Sequence, residues 1–371
     1  MADRSRRRIN IEGVLRFALE HQDAPAAGGE IAYQPISEDR RTWLRAALDF
    51  LSSAESEIDR LKACTEVLKK SEMKRKERNI DTYADSDEDK KLVLNALEEI
   101  IEIIDQIDNA RDFCTIGGLK YVVNLIEEIK NNDIIIASCN VIATVTQNNP
   151  SCQDFAIRCK VIQPLLNLLQ NSDVTEVKVK CVYALSGLIR EHIKAQESFA
   201  ENDGYSIIVR SLQVKAPKLR IKIAFLCKAL CAHQPEIKDI LLRVGFVDHL
   251  AVILQEPHNS YHEHVLSALV AITDNCAPAV EACRQSHLEF EKSLRSIKDQ
   301  ILSSPELRDS QQRYEYINDF IMVDAYLTSA TGTFILRLDV YERLTISILT
   351  LLLTLSSSLV SIRSIKFFRR N

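Results

Sequence analysis

Apolar positions along the middle of this chain recur on two scales at once. Within Lys178–Arg190 (KVKCVYALSGLIR), the spacing of Val179, Cys181, Leu185 and Leu188 predicts a helix with one buried side. On the larger scale the same pattern returns every 42 residues. Cys139, Cys181, Ile223 and Val265 form one column, and Ala143, Leu185, Cys227 and Leu269 a second. Thr146, Leu188, Leu230 and Ile272 form a third. One further step back lands on Leu97, Ile101 and Ile104, all apolar.

Shorter apolar segments fill the space between these long helices. Phe113, Phe155, Phe199 and Leu241 mark a short helix, and Ile126, Leu169, Leu212 and Leu254 mark a third. Gly117-Gly118, Gly204 and Gly245 fall between those two helices, where a tight turn favours glycine. A helical period in this range is the signature of armadillo and HEAT solenoids, and three helices per unit favour armadillo. The expected fold is therefore all-α: an armadillo-like helical repeat superhelix with an N-terminal helical cap. The array is expected over residues 87–302, with its third helices lining the concave face. A fifth unit opens well with HEHVLSALVAIT and then drifts, with Leu288, Leu294, Ile297 and Ile301 as a closing helix.

Outside the array the pattern changes. Residues 1–36 read as a flexible segment with one short amphipathic helix over Ile9–His21, followed by the breaker APAAGGE. Residues 37–86 read as a helical cap and a charged linker. Ser37 caps a helix carrying Trp43, Leu44, Leu48 and Leu51. Ser52–Glu55 opens another that buries Ile58, Leu61, Cys64, Val67 and Leu68. Met73–Lys90 is dense in charge and is expected as a loop or a frayed helix end. Residues 303–371 form a tail of unsettled character. Its stretch Leu344–Ile362 holds nineteen uncharged residues, enough to span about 28 Å as a helix. Eight of those nineteen are Ser or Thr, which makes membrane insertion marginal. A helix packed on the end of the array, or a stretch from a mis-joined reading frame, are the competing readings.

Composition narrows the function. Gly and Pro number nine each in 371 residues, which suits long helices with short turns. A net charge of −5 argues against a nucleic-acid binder. Of the ten cysteines, Cys139, Cys181 and Cys227 fall in core columns, where a thiol acts as a small hydrophobe, so a reducing compartment is expected. With no signal peptide in view, the cytoplasm is expected, and the basic RSRRR end leaves the nucleus open. No phosphate loop, nucleophile elbow or paired carboxylates appear. His258, His262 and His264 lack the partners that would complete a metal site. An enzyme, a cofactor and a metal are therefore not expected.

Surface recognition remains. Asn124 and Asn167 share a third-helix column that continues with Arg210 and Val252, and the only Trp lies outside the array. A groove for extended peptides would repeat Trp and Asn, so a folded partner is the better expectation, bound by a monomer.

Several motifs, in order, resemble one family. SEDRRTWLRAALDFL (Ser37–Leu51), DNARDFC (Asp108–Cys114), GLIRE (Gly187–Glu191), KLRIKIAFL (Lys218–Leu226) and YHEHVLSAL (Tyr261–Leu269) are similar to the cytosolic heat-shock-protein-seventy binding proteins. The likeness runs from about Ile9 to Ile321. It implies a four-repeat armadillo core that clasps one lobe of the chaperone's ATPase domain and promotes ADP release. A generic armadillo adaptor for another folded protein is the alternative. Polar residues on or beside the inner face are the candidate contacts: Arg190, Arg210, Asn124, Asn167, Gln170, Gln213, Lys218, Arg220, His262 and Glu263.

Overall fold

The 42-residue period returns in the structure as five three-helix units. The structure is a computed structural model that describes residues 56–78 and 87–303. The chain divides into two units, Met1–Glu55 and Ser56–Asn371, and the described residues belong to the second. The expected helices over Ile9–His21 and from Ser37, and the whole tail from residue 304, lie outside the described residues.

Helix α1 (Glu57–Arg78) precedes the stack. Unit 1 is α2 (Asp87–Ile104), α3 (Ile107–Thr115) and α4 (Gly118–Glu128). Unit 2 is α5 (Asn132–Thr146), α6 (Pro150–Arg158) and α7 (Ile162–Asn171). Unit 3 is α8 (Thr175–Ile189), α9 (Ile193–Glu201) and α10 (Gly204–Arg210), the last continued by a 3-10 turn over Ser211–Gln213. Unit 4 is α11 (Pro217–His233), α12 (Pro235–Arg243) and α13 (Phe246–Leu254). Unit 5 is α14 (His262–Thr273), α15 (Ala277–Cys283) and α16 (Phe290–Ser303). The fifth unit is thus complete rather than drifting. Its irregularity is a 3-10 turn at Ser286–Leu288 that delays the third helix.

Like helices stack on like. Each long helix packs along its predecessor, and each third helix packs on the long helix of the next unit. Cys139, Cys181, Ile223, Val265, Leu185, Cys227 and Leu188 are completely buried, so the sequence columns are the core of one continuous stack. Helix α1 packs on α2 and α4, the place a preceding third helix would take, and buries Leu61, Cys64 and Leu68. It covers the edge that an open repeat array would otherwise expose. It also runs six residues, Met73–Arg78, into the stretch expected as a loop or frayed helix end. Lys74 pairs with Asp89 at 2.9 Å and Arg75 with Glu128 at 3.2 Å, which ties the charged end of α1 to unit 1.

The turns explain the glycines. A left-handed residue separates the second and third helices of every unit: Gly117, Lys160, Asp203, Gly245 and Glu289, with φ of 81°, 55°, 58°, 76° and 47°. Gly118 and Gly204 answer a different need. A Cβ at Gly204 would lie 2.5 Å from the Phe199 ring, and one at Gly118 would run into Phe113. These glycines let the aromatic of the short helix lie flat against the start of the third helix. Short helices begin with local signals. Asn149 accepts from the Cys152 N–H, His192 Nδ1 accepts from the Ala195 N–H, and Pro150 and Pro235 occupy the first turn.

Candidate functional site

The candidate contacts separate into three groups. Arg220 and His262 are buried, against the expectation that they meet a partner. They stand 42 residues apart, and one step earlier stands Lys178. All three open a long helix and donate to the end of the preceding third helix. Lys178 Nζ donates to the carbonyls of Leu169 (2.7 Å) and Gln170 (3.1 Å). Arg220 Nε donates to the Leu212 carbonyl at 3.0 Å, and His262 Nε2 to the Ile253 carbonyl at 3.1 Å. The last carbonyls of a helix have no intrahelical partner and carry the negative end of its dipole, so a donor there satisfies both. Arg220 and His262 are clamps between units, not surface contacts.

Around Arg220 the clamp widens into a network. Its guanidinium grips Glu256 with Nη1–Oε2 at 2.6 Å and Nη2–Oε1 at 3.2 Å. Tyr261 Oη donates to the same Oε2 at 2.6 Å, and the guanidinium lies 5.1 Å from the Tyr261 ring centre. The Arg220 hydrogen bonds hold the Glu256 carboxyl below the usual carboxylate range. His262 spends its second nitrogen too, with Nδ1 accepting from the Asn259 N–H at 3.3 Å. Burial pushes the imidazole down to about 4, so it is neutral in the folded chain. Among the described residues, no three His, Cys, Asp or Glu side chains converge to hold a metal ion.

The second group lies on the third helices and is dispersed. Asn124 is half-buried and hydrogen-bonds Glu72 of α1, so the cap engages it. Asn167 accepts from Gln163 at 3.0 Å, Arg210 pairs with Asp203 at 3.4 Å, and Gln213 meets His249 at 3.1 Å. Gln170 is exposed. These are polar side chains bonded within or between neighbouring third helices. No aromatic or unpaired cation gathers them into a patch among the described residues.

The third group sits on the long helices. Lys218 is exposed at the start of α11, and Glu263 is half-buried at the start of α14. Arg190 caps the end of α8, and its backbone is fixed from unit 2. Gln153, itself buried, donates to the carbonyls of Gly187 (3.0 Å), Leu188 (2.9 Å) and Arg190 (3.1 Å). The Arg190 guanidinium lies 5.6 Å from the ring centre of Phe225 on α11, while its Nε is buried with no hydrogen-bond acceptor. In the other direction, Lys222 of α11 stands 5.0 Å over the ring of Tyr183 on α8. Phe225 is 48% exposed, an unusual state for that side chain. Lys222, Phe225 and Lys228 follow one another at helical spacing on α11, and Lys228 bonds Ser267 of α14. The result is a ladder of cations and aromatics crossing units 3, 4 and 5. Of the candidates it contains only Arg190. Tyr183, Lys222, Phe225 and Lys228 were missed, although Tyr183 and Phe225 are themselves 42 apart.

A stack of this kind makes the chain an armadillo-type repeat protein. A designed armadillo repeat protein in complex with the peptide (KR)4 superposes with a TM-score of 0.54 at 14% identity, covering 70% of this chain and 99% of that one. A second designed armadillo repeat protein gives 0.55 at 15% identity, covering 72% and 100%. The family emerges from sequence. Residues 11–113 match the family model described as nucleotide exchange factor Fes1, and residues 109–241 match the SIL1/FES1/HPBP1 C-terminal domain. Hsp70-binding protein 1 of Homo sapiens is 30% identical over 291 residues, covering 77% of this chain and 78% of that protein. The Hsp70 nucleotide exchange factor FES1 of Mycosarcoma maydis is 32% identical over 146 residues, covering 39% and 37%. The nucleotide exchange factor SIL1 of Xenopus laevis is 25% identical over 244 residues, covering 59% and 52%. The chain belongs to the Hsp70-binding protein 1, Fes1 and SIL1 family of nucleotide exchange factors.

Proposed function

We propose that this chain binds the ATPase domain of an Hsp70 chaperone and promotes release of ADP. The observation that carries the reading is its family membership over more than three quarters of its length. Exchange needs no bond chemistry from the factor. It needs a surface that binds the open, nucleotide-free domain more tightly than the closed one. The coupling is reciprocal: a hundredfold weakening of ADP binding means ADP weakens this protein's binding a hundredfold, about 2.7 kcal/mol. The chain acts as a non-catalytic co-chaperone in the cytoplasm. No helix among the described residues is long and apolar enough to cross a membrane.

The docking face in this reading is the exposed side of α8, α11 and α14. Arg190 supplies a half-exposed guanidinium beside the Phe225 ring, suited to a carboxylate of the partner. Tyr183 and Phe225 supply apolar area with little side-chain entropy to lose, and Lys222 and Lys228 surround them with positive charge. The stack beneath is rigid because its clamps join unit to unit, so binding can impose a shape on the guest. The test is release of fluorescent ADP from the chaperone with the full chain added. Faster release that depends on dose is expected. Release at the rate of the chaperone alone refutes the proposal.

A further inference from the structure

The end of α8 is held less by its own helix than by its neighbour. The Arg190 N–H reaches the Ser186 carbonyl at 3.4 Å, whereas the matching bonds that end α5 (Gln147 to Ala143) and α14 (Asp274 to Val270) measure 3.0 Å. Directly after Arg190 the chain turns through a left-handed residue, Glu191, with φ of 57°. The equivalent turns of units 2 and 5 use Asn148 and Asn275, a residue type that tolerates this conformation; glutamate does not share that tolerance. The backbone here therefore needs an outside hold, and Gln153 supplies it. Its amide nitrogen meets the carbonyls of Gly187, Leu188 and Arg190, so its two hydrogens are shared among three acceptors.

The same place in the short helices of units 3 and 4 holds Gln196 and Lys238. Both also donate to the end of a long helix, Gln196 to the Ile189 carbonyl and Lys238 to the Asp274 carbonyl. Of the three, only Gln153 bonds a residue that carries a cation. The Arg190 Nε is buried without an acceptor, so the aim of that side chain comes from its backbone and from the Phe225 ring.

We propose that Gln153 is a positioning residue for partner binding: by gripping the Arg190 carbonyl across the seam, it sets the line along which the guanidinium meets a carboxylate of the partner. The inference rests on the reading of α8, α11 and α14 as the docking face. A binding constellation tolerates a misplacement of about 0.5 Å, and a small turn at the Cα carries the tip of an arginine further than that. Gln153 itself is buried and touches no partner. Its effect on binding must therefore pass through Arg190, which separates it from a bond that serves stability alone.

The test is a double-mutant cycle on the full-length protein. Wild type, Gln153→Met, Arg190→Ala and the double variant are titrated by calorimetry with a nucleotide-free Hsp70 ATPase domain, and each is melted. Gln153→Met should weaken binding by about tenfold, the share of one hydrogen bond to a charged group. In the Arg190→Ala background it should weaken binding no further, while its cost in melting temperature is the same in both backgrounds. Gln153→Asn, one methylene shorter, falls short of the carbonyls; it should give the same pattern and serves if Gln153→Met does not fold. An equal loss of affinity in both backgrounds, or a lower melting temperature with unchanged affinity, overturns the positioning role. Unchanged affinity in Arg190→Ala alone is a different failure: it removes Arg190 from the docking face, and this inference with it.

Discussion

His262, with its neighbour His258, makes stability depend on pH below about 6.5. Its imidazole is fully buried, with Nε2 donating to the Ile253 carbonyl and Nδ1 accepting from the Asn259 N–H. Burial opposes the charge, and a proton on Nδ1 would face an N–H donor near His258 and the Arg220 guanidinium, with the Ile253 carbonyl and Glu256 to compensate in part. The folded value is about 4, against 6.5 for the exposed ring. For a histidine lowered in this way, the unfolded chain binds the extra proton first. The contribution is therefore complete above about pH 6.5 and is lost progressively down to about pH 4. At pH 5 the loss comes to about 2 kcal/mol, and the full shift corresponds to roughly 3 kcal/mol. His258, also lowered by burial, adds to the loss in the same direction. Urea melts of the full chain between about pH 7.5 and pH 5 measure the slope, and His262→Gln, which keeps a donor for the Ile253 carbonyl, removes this share of it. If wild type and variant lose stability in parallel over that range, the ring is not the neutral clamp described.

Other consequences follow from the same geometry. Arg220→Met leaves the Leu212 carbonyl unsatisfied and Glu256 without its cation; a loss of about 3 kcal/mol in urea unfolding is expected, the lower end for broken buried pairs because Glu256 is 24% exposed. Arg190→Glu should leave helicity and melting unchanged but slow chaperone ADP release at least tenfold; unchanged exchange removes Arg190 from the docking face. Phe225→Ala should weaken chaperone binding by about 2 kcal/mol in titration calorimetry without lowering the melting temperature, as expected for an exposed aromatic anchor. Gly204→Ala drives a methyl into the Phe199 ring, and a loss of about 1–3 kcal/mol should appear in thermal unfolding; a neutral result would mean that the ring has room to move.

The core was legible because its period is physical: every unit must present the same apolar face to the next. Leu97, Cys139, Cys181, Ile223 and Val265 are all fully buried, as their column implied. The clamps were harder to read. Arg220 and His262 begin a helix, and a polar residue there usually faces water. What buries them is the preceding third helix, whose final carbonyls end directly over the first turn. The 42-residue step from Lys178 to Arg220 to His262 was the available signal, since a solvated face has no reason to repeat a donor. Asn124 misled for another reason: it shares a column with Asn167, but α1 covers it. The aromatics of the proposed docking face were overlooked because an aromatic beside core columns looks like more core. Phe225 shows its exposure only once α8 and α11 are placed side by side.

Gln153 and Lys178 cross the seam between units 2 and 3; at the same places in the helices one unit earlier stand Ala110 and Ile135. The first seam lacks both and is crossed instead by Asn149 Nδ2, which donates to the Ile107 carbonyl at 3.2 Å, and by the Lys90–Asp133 ion pair at 3.0 Å. Pulled from its ends, the molecule should part there first, like a zip with fewer teeth at its opening.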